Sequence, residues 1–139
     1  MYLKRLEIKG FKSFADITEI NFKPGINIIV GPNGCGKSNV VDAIRWVIGE
    51  GNIRHLRGQK SEDVIFNGTD DKKAQGMAHV EMLLDNSDQI LPLDYNEITL
   101  ARKVFRSGES EFYINKSRVR MKDISDLFTG TGKQITNIL

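Results

Sequence analysis

Eight consecutive residues, Gly31-Pro32-Asn33-Gly34-Cys35-Gly36-Lys37-Ser38, have the types and the spacing to hold a phosphate chain. Glycines at 31, 34 and 36 allow the backbone to curl until several N–H groups point inward at phosphate oxygens. A helix starting at the end of such a turn adds its positive pole to the attraction. Lys37 then reaches the β- and γ-phosphates and the Ser38 hydroxyl is placed to ligate a magnesium ion, so ATP and Mg2+ are the implied cofactors. The pattern is specific only where a strand precedes it and a helix follows. Both flanks fit. Ile26-Asn27-Ile28-Ile29-Val30 reads as a buried strand, and from Asn39 to Ile48 the apolar residues Val40, Ile44 and Val47 recur at helical spacing, with Val41 and Ile48 beside them.

Binding a nucleotide is only half of hydrolysing it. A second acidic group must complete the magnesium shell, and something must position the attacking water. Met82-Leu83-Leu84-Asp85 looks superficially like the hydrophobic strand that usually ends in such an acid. Asp85 is followed by Asn86, Ser87 and Asp88, however, which is turn chemistry, and the residues before it alternate instead of forming a fully buried run. The expectation is a turn, and a chain that holds one half of a catalytic centre.

These residues need a scaffold, and 139 residues suffice for one domain with a real core or for a piece of a larger one. A net charge of +2 neither requires nor opposes a nucleic-acid partner. The single cysteine, Cys35, rules out an internal disulfide and fits a reducing compartment. No stretch is apolar for long enough to span a membrane. Along the chain, Tyr2 to Lys9 is strand-like, Gly10-Phe11-Lys12-Ser13 breaks the run, and Thr18 to Phe22 alternates again. The first helix is expected to stop at Gly49 to Gly51. Residues 52–71 read as a long polar loop touching the core once, at Val64-Ile65-Phe66. Ala78, Val80, Met82 and Leu84 alternate as a half-buried strand does. Ile98 to Arg106 and Ser110 to Ile114 form a hairpin across the turn Ser107-Gly108-Glu109, and Met121 to Phe128 is a short helix. The fold class is α/β: a mixed sheet with an antiparallel flank around a strand–phosphate loop–helix unit.

From Met1 to about Gly132 the chain resembles the N-terminal half of the ATPase head of structural maintenance of chromosomes (SMC) proteins, relatives of ABC-type ATPases. The likeness is greatest to the SMC subunit of prokaryotic condensin. The residues that carry it come in order: Leu3 to Phe14, the phosphate loop with Asn39, Asp42 to Glu50, Leu56-Arg57-Gly58, Leu84-Asp85-Asn86 and Ser107 to Phe112. The ordered set is specific where each piece alone is weak. RecN, RecF and related DNA-repair ATPases share the phosphate loop and form an alternative reading, though the hairpin sequence is not expected in them.

The resemblance implies that residues 1–139 are the N-terminal lobe of an ABC-type P-loop NTPase head. In the family a coiled coil, a hinge and a C-terminal half-head follow, and that second half brings the signature sequence and the catalytic acid. The implied partners are therefore the C-terminal half-head, a second SMC head in a homodimer, a kleisin-type subunit and double-stranded DNA. The implied setting is the nucleoid in the cytoplasm, without membrane contact, and the implied process is chromosome condensation and segregation. Alone, the lobe is expected to be inactive as an ATPase. An isolated nucleotide-binding or interaction module without hydrolysis is the rival, and a small-molecule kinase is disfavoured by the lack of an arginine-rich lid. Beyond Gly132 the sequence departs from the family, and Gln134 is not taken for its magnesium-contacting glutamine.

By the same resemblance, Lys12 and Ser13 lie beside the nucleotide, with a solvated turn as the alternative for the lysine. Arg57 approaches the γ-phosphate, where a guanidinium stabilises charge developing in the transition state, or else is one cation in a basic loop. Asp63 skirts the adenine, or is a surface acid. Cys35 places a thiol against the phosphates, or is merely a small residue at a permissive position. Lys60, Arg118, Arg120 and Lys122 form a DNA-phosphate patch, or a solvated face. His55 and His79 have no partners at metal-ligand spacing, and Trp46 is assigned to the core.

Overall fold

The computed structural model describes residues 1–23, 35–49 and 61–129, for 35–38, 61 and 129 through the backbone alone. Six strands form one sheet: β1 (Tyr2–Lys9), β2 (Thr18–Asn21), β3 (Met77–Asp85), β4 (Glu97–Phe105), β5 (Ser110–Ile114) and β6 (Ser117–Val119). Their order is β2-β1-β3-β4-β5-β6, and every pairing among them is antiparallel. The expected strand at 26–30 lies outside the described residues. Two helices, α1 (Cys35–Val47) and α2 (Met121–Thr129), lie on one face of the sheet.

The period-two alternation explains the layering. In β3 the residues Ala78, Val80, Met82 and Leu84 are fully buried, while the intervening ones point to the other face. Their partners in β4 keep the same phase: Ile98, Leu100 and Val104 are buried opposite Leu84, Met82 and Ala78. A one-residue slip of either strand would turn its own row outward, so the register is fixed by the core itself. Against this face α1 sets Val40, Ala43, Ile44 and Val47, the i, i+3, i+4, i+7 stripe of an amphipathic helix.

The helix begins at Cys35, four residues before the start that the apolar spacing gives, because the Gly36-Lys37-Ser38 segment of the phosphate loop is itself the first turn. It ends as expected at Gly49, which adopts φ +74°, a conformation that strains any residue with a Cβ. An added Cβ there would also meet Ser125 Oγ at 3.0 Å and Met121 Cγ at 3.4 Å, so the end of α1 sits directly on α2.

Two further departures have local causes. The chain turns back after β5 through Asn115 and Lys116, both at positive φ, and forms β6 where the sequence signals nothing beyond Ile114. The segment around residue 64 touches the core as expected, but through a short 3-10 helix (Ser61–Val64), followed by a bridge from Ile65 to Phe11. Arg106 holds the loop that follows, its guanidinium donating to the carbonyls of Gln75 and Phe66 and to Asn67 Oδ1, each at 3.0 Å. No helix among the described residues is long and apolar enough to cross a membrane.

Candidate functional site

The turn after β1 is built to lie against α1. Gly10 has φ +66°, and a Cβ there would collide with the carbonyl oxygen of Met77, so only glycine fits. Phe11 then drops into the core with no exposed surface and packs on Trp46, ring centroids 5.2 Å apart. Lys12 follows in the left-handed region at φ 47°, a conformation that persists in a non-glycine residue only where its surroundings hold it. Here its N–H donates to the carbonyl of Val64 at 2.6 Å, while Phe66 N–H donates to Gly10 at 2.8 Å. The touchdown at residues 64–66 therefore fixes the backbone of the turn.

Two side-chain bonds complete the attachment. Lys12 Nζ donates to Asp42 Oδ2 at 2.6 Å, and Asn39 Nδ2 donates to Ser13 Oγ at 2.7 Å. Asn39 and Asp42 are three residues apart on α1 and so share a face. Lys12 and Ser13, expected beside the nucleotide, are thus brought against the helix that opens in the phosphate loop. Asp42, quoted in the sequence only as part of the 42–50 segment, was given no role there, although its i+3 spacing from Asn39 was visible.

The first turn of α1 carries Cys35, Gly36, Lys37 and Ser38 and contains no acidic residue. Its leading N–H groups have no intrahelical acceptor, and the turn itself holds no acidic residue, which suits an anion. The donor set fits a nucleotide phosphate with Mg2+: backbone N–H groups and a lysine for the charge, a serine hydroxyl for the metal. The side chains of Cys35, Lys37 and Ser38 lie outside the described residues, as do Gly31, Pro32, Asn33, Gly34, Arg57 and Lys60 entirely.

From Ser13 an open cleft of about 380 Å³ runs past Phe14 and Asp16 to Phe66 and Lys72. Asp16 and Lys72 pair across it. Asp63 is exposed in the 3-10 helix and is not part of that wall. Asp85 behaves as a turn residue, its carboxylate accepting from the Ser87 N–H at 2.9 Å, which holds its pKa below the usual range. Among the described residues no three His, Cys, Asp or Glu side chains gather as a metal site. His79 lies on the outer face of the sheet, and His55 is outside the described residues.

Of the basic residues after β5, Arg118 and Arg120 are paired with acids. Arg118, 62% exposed, pairs with Glu111 at 3.4 Å, and Arg120, 77% exposed, pairs with Asp123 at 3.3 Å. The Asp123 carboxylate also accepts the Arg120 N–H at 2.9 Å, so this acid caps the start of α2. Lys122 is exposed beside them.

A family model for the RecF/RecN/SMC N terminal domain matches residues 2–137. The chromosome partition protein Smc of Clostridium kluyveri is 57% identical over 132 residues, 95% of this chain and 11% of its own length. A solved structure from work on ATP-driven dimerization and DNA-stimulated activation of SMC ATPases superposes with a TM-score of 0.87 at 33% identity, over 95% of this chain and 80% of that one. The chain belongs to the SMC family. An Smc head from Pyrococcus furiosus, carrying an extended coiled coil and bound to the C-terminal domain of ScpA, superposes with a TM-score of 0.83 at 36% identity, over 92% of this chain and 32% of that one. RecF in its ATP-bound form gives 0.64 at 23% identity, a likeness of fold alone. This SMC-family chain therefore has the α/β architecture of an SMC head, and the repair-ATPase alternative is the more distant one. It spans about a tenth of the length of the curated relatives it matches.

Sequence reasoning missed one more residue, at the other end of α1. Arg102 lies in β4 between Leu100 and Val104, in the phase that faces the core, and is 7% exposed. Its guanidinium is sandwiched between the rings of Trp46 and Phe112, 4.5 and 4.8 Å from their centroids. Nη1 donates to the Trp46 carbonyl at 3.0 Å, in the last turn of α1, where the helix presents its negative pole. Burial lowers the guanidinium pKa to about 10. The charge is thus held by two π-faces and a helix end, and it ties the hairpin to α1. The signal was available: an arginine standing in the core phase of an alternating strand.

Proposed function

We propose that this chain is the ATP-binding lobe of an SMC head whose engagement with a second head, driven by ATP, and whose hydrolysis of ATP act in chromosome condensation and segregation by tethering or translocating DNA. The observation that carries the reading is the docking of the Gly10–Phe14 turn onto α1, with Lys12 and Ser13 bonded to the helix that begins with Cys35-Gly36-Lys37-Ser38. Phosphates are held by the N–H groups of residues 31–39, Lys37 supplies charge at the β- and γ-phosphates, and the Ser38 hydroxyl holds Mg2+, which supplies charge neutralisation there. Arg57 stabilises negative charge developing on the transferred phosphoryl group. Asp63 borders the base.

Asp85 is committed to its turn, so the acid that activates water comes from a C-terminal half-head, and the signature sequence comes from a second SMC head. The SMC structure described for ATP-driven dimerization supports the second-head partner, and the Pyrococcus furiosus head bound to ScpA supports a kleisin-type partner. Double-stranded DNA is contacted through phosphates by Lys60, Arg120 and Lys122. The Arg120–Asp123 pair is exposed and screened by solvent, so a DNA phosphate displaces the acid at little cost. The protein works at the nucleoid in the cytoplasm.

The test is ATP turnover by this lobe alone and after co-expression with a C-terminal half-head, with Lys37→Ala as control. Turnover only in the mixture, abolished by Lys37→Ala, supports a composite ATPase. Turnover by the lobe alone that Lys37→Ala abolishes overturns the division of the site and directs attention to Asp85. Undiminished nucleotide binding in the Lys37→Ala variant overturns the site altogether. Charge reversal at Arg120 and Lys122 that leaves DNA affinity intact removes the patch.

A further inference from the structure

We propose that Asp42 is a positioning residue of the nucleotide site, holding the Lys12 ammonium in place before nucleotide arrives and sharing it with the phosphates afterwards. The inference rests on the reading of this lobe as an ATP site and adds to it a residue that no nucleotide motif includes. Lys12 carries a long side chain whose rotamer freedom opposes any single placement. The structure removes that freedom in two steps. The backbone is locked at φ 47° by the bond to Val64 and by the burial of Phe11, which fixes where the side chain starts. The 2.6 Å contact with Asp42 then fixes where it ends, with the two side chains 22% and 25% exposed. Nζ also lies 5.8 Å from the Phe11 ring centroid.

An ammonium has three donors. Asp42 takes one, leaving two for phosphate oxygens. Asp42 is four residues beyond Ser38, so it stands about 6 Å further along the helix axis, behind the first turn and not in it. A bare carboxylate there would repel an incoming anion, but contact with Lys12 cancels its charge. What the pair offers an anion is N–H donors. The neighbouring Asn39–Ser13 bond holds the turn in register with α1, so the Lys12–Asp42 pairing does not depend on the lysine alone.

A plain staple between turn and helix would have a different signature, because its removal lowers thermal stability without any dependence of ATP affinity on Lys12. The experiment is a double-mutant cycle in the full-length SMC protein that contains this lobe. MgATP affinity and steady-state kinetics are measured for wild type, Asp42→Asn, Lys12→Met and the pair, with circular dichroism melts to establish folding. Asp42→Asn is expected to weaken ATP binding about fivefold when Lys12 is present and by less than about twofold in the Lys12→Met background, with the loss carried by KM and not by kcat. Asp42→Glu, which keeps the charge, is expected within about twofold of wild type and serves if the asparagine variant folds poorly. An equal loss in both backgrounds, or tighter ATP binding in Asp42→Asn, overturns the inference. Lys37→Ala separates the two readings. If it abolishes ATP binding while Asp42 and Lys12 show no coupling, only the positioning role fails; if it leaves ATP binding unchanged, the nucleotide site itself fails.

Discussion

Replacing Arg102 by alanine is expected to cost the fold about 3 kcal/mol, whereas replacing it by methionine is expected to cost only about 1. Two opposing effects set these values. Holding the charge out of water lowers the guanidinium pKa to about 10, which corresponds to a penalty of about 3 kcal/mol borne by the native state. Against it stand the charge-assisted bond to the Trp46 carbonyl, worth about 2 kcal/mol, and two desolvated ring contacts of about 1 to 2 kcal/mol each. Alanine removes both sides of this balance and also leaves a hole where the stem packed, adding about 2 kcal/mol. Methionine keeps the stem, sheds the penalty and places a sulfur between the rings. Urea denaturation followed by far-UV circular dichroism at pH 7 to 8 measures both, and the alanine variant should melt about 10 °C lower. The pH matters because a cation whose pKa is depressed by folding destabilises fully below the folded value. That penalty is relieved only as pH rises through about 10. An alanine variant within about 1 kcal/mol of wild type, or a methionine variant as unstable as alanine, refutes the sandwich as the source of the stability.

Asn86 has no exposed surface; its Nδ2 donates to the carbonyls of Leu91, Leu93 and Tyr95, and its Oδ1 accepts from the Leu91 N–H. Asn86→Ala is expected to lose about 2 to 4 kcal/mol in the same assay, and a loss below about 1 would mean that the loop at 86–96 does not depend on it. Gly10→Ala is expected to cost about 3 kcal/mol or more, while Gly76→Ala, whose Cβ meets nothing within 4 Å, stays within about 0.5. Equal effects at the two glycines would contradict the close approach of Met77. His79 has its pKa lowered chiefly by burial, with Glu81 and Glu7 opposing the shift and Lys103 and Lys9 adding to it. The unfolded imidazole therefore takes up its proton first, so stability is lost as pH falls from about 6.5 through the lower folded value. His79→Gln should flatten that part of the profile, and an unchanged slope would assign it to other groups.

How much of this was legible in the sequence depends on whether a feature is local. The alternation in β3 and β4 was readable because each strand carries its own core face, and the stop at Gly49 because the helix ending is written in two glycines. The start of α1 was misplaced because glycines argue for loop, while the phosphate-loop turn is helical. β6 was invisible because its turn, Asn115-Lys116, lacks the glycine that usually marks two positive φ values in succession. The functional residues divide in the same way. Lys12, Ser13 and Asn39 were named through motif and resemblance, and the structure brings them together. Arg102 stands out locally by its core phase and Asp42 by its spacing from Asn39, but the role of each depends on a partner 56 or 30 residues away. Arg57, Lys60 and the loop from Gly31 to Gly34 lie outside the described residues, and their roles stand on sequence alone.

The one tryptophan of the chain has a consequence beyond packing. Trp46 sits in the last turn of a 13-residue helix, about 15 Å from the end that opens in the phosphate loop, and is 2% exposed under the Arg102 guanidinium. The protein thus carries a single indole fluorophore at the end of α1 far from the phosphate-loop sequence. Any tilt or slide of that helix changes the distance between indole and guanidinium, and with it the emission. Movement at one end of α1 can be followed at the other in real time, with no label introduced and no second indole in this lobe to confuse the signal.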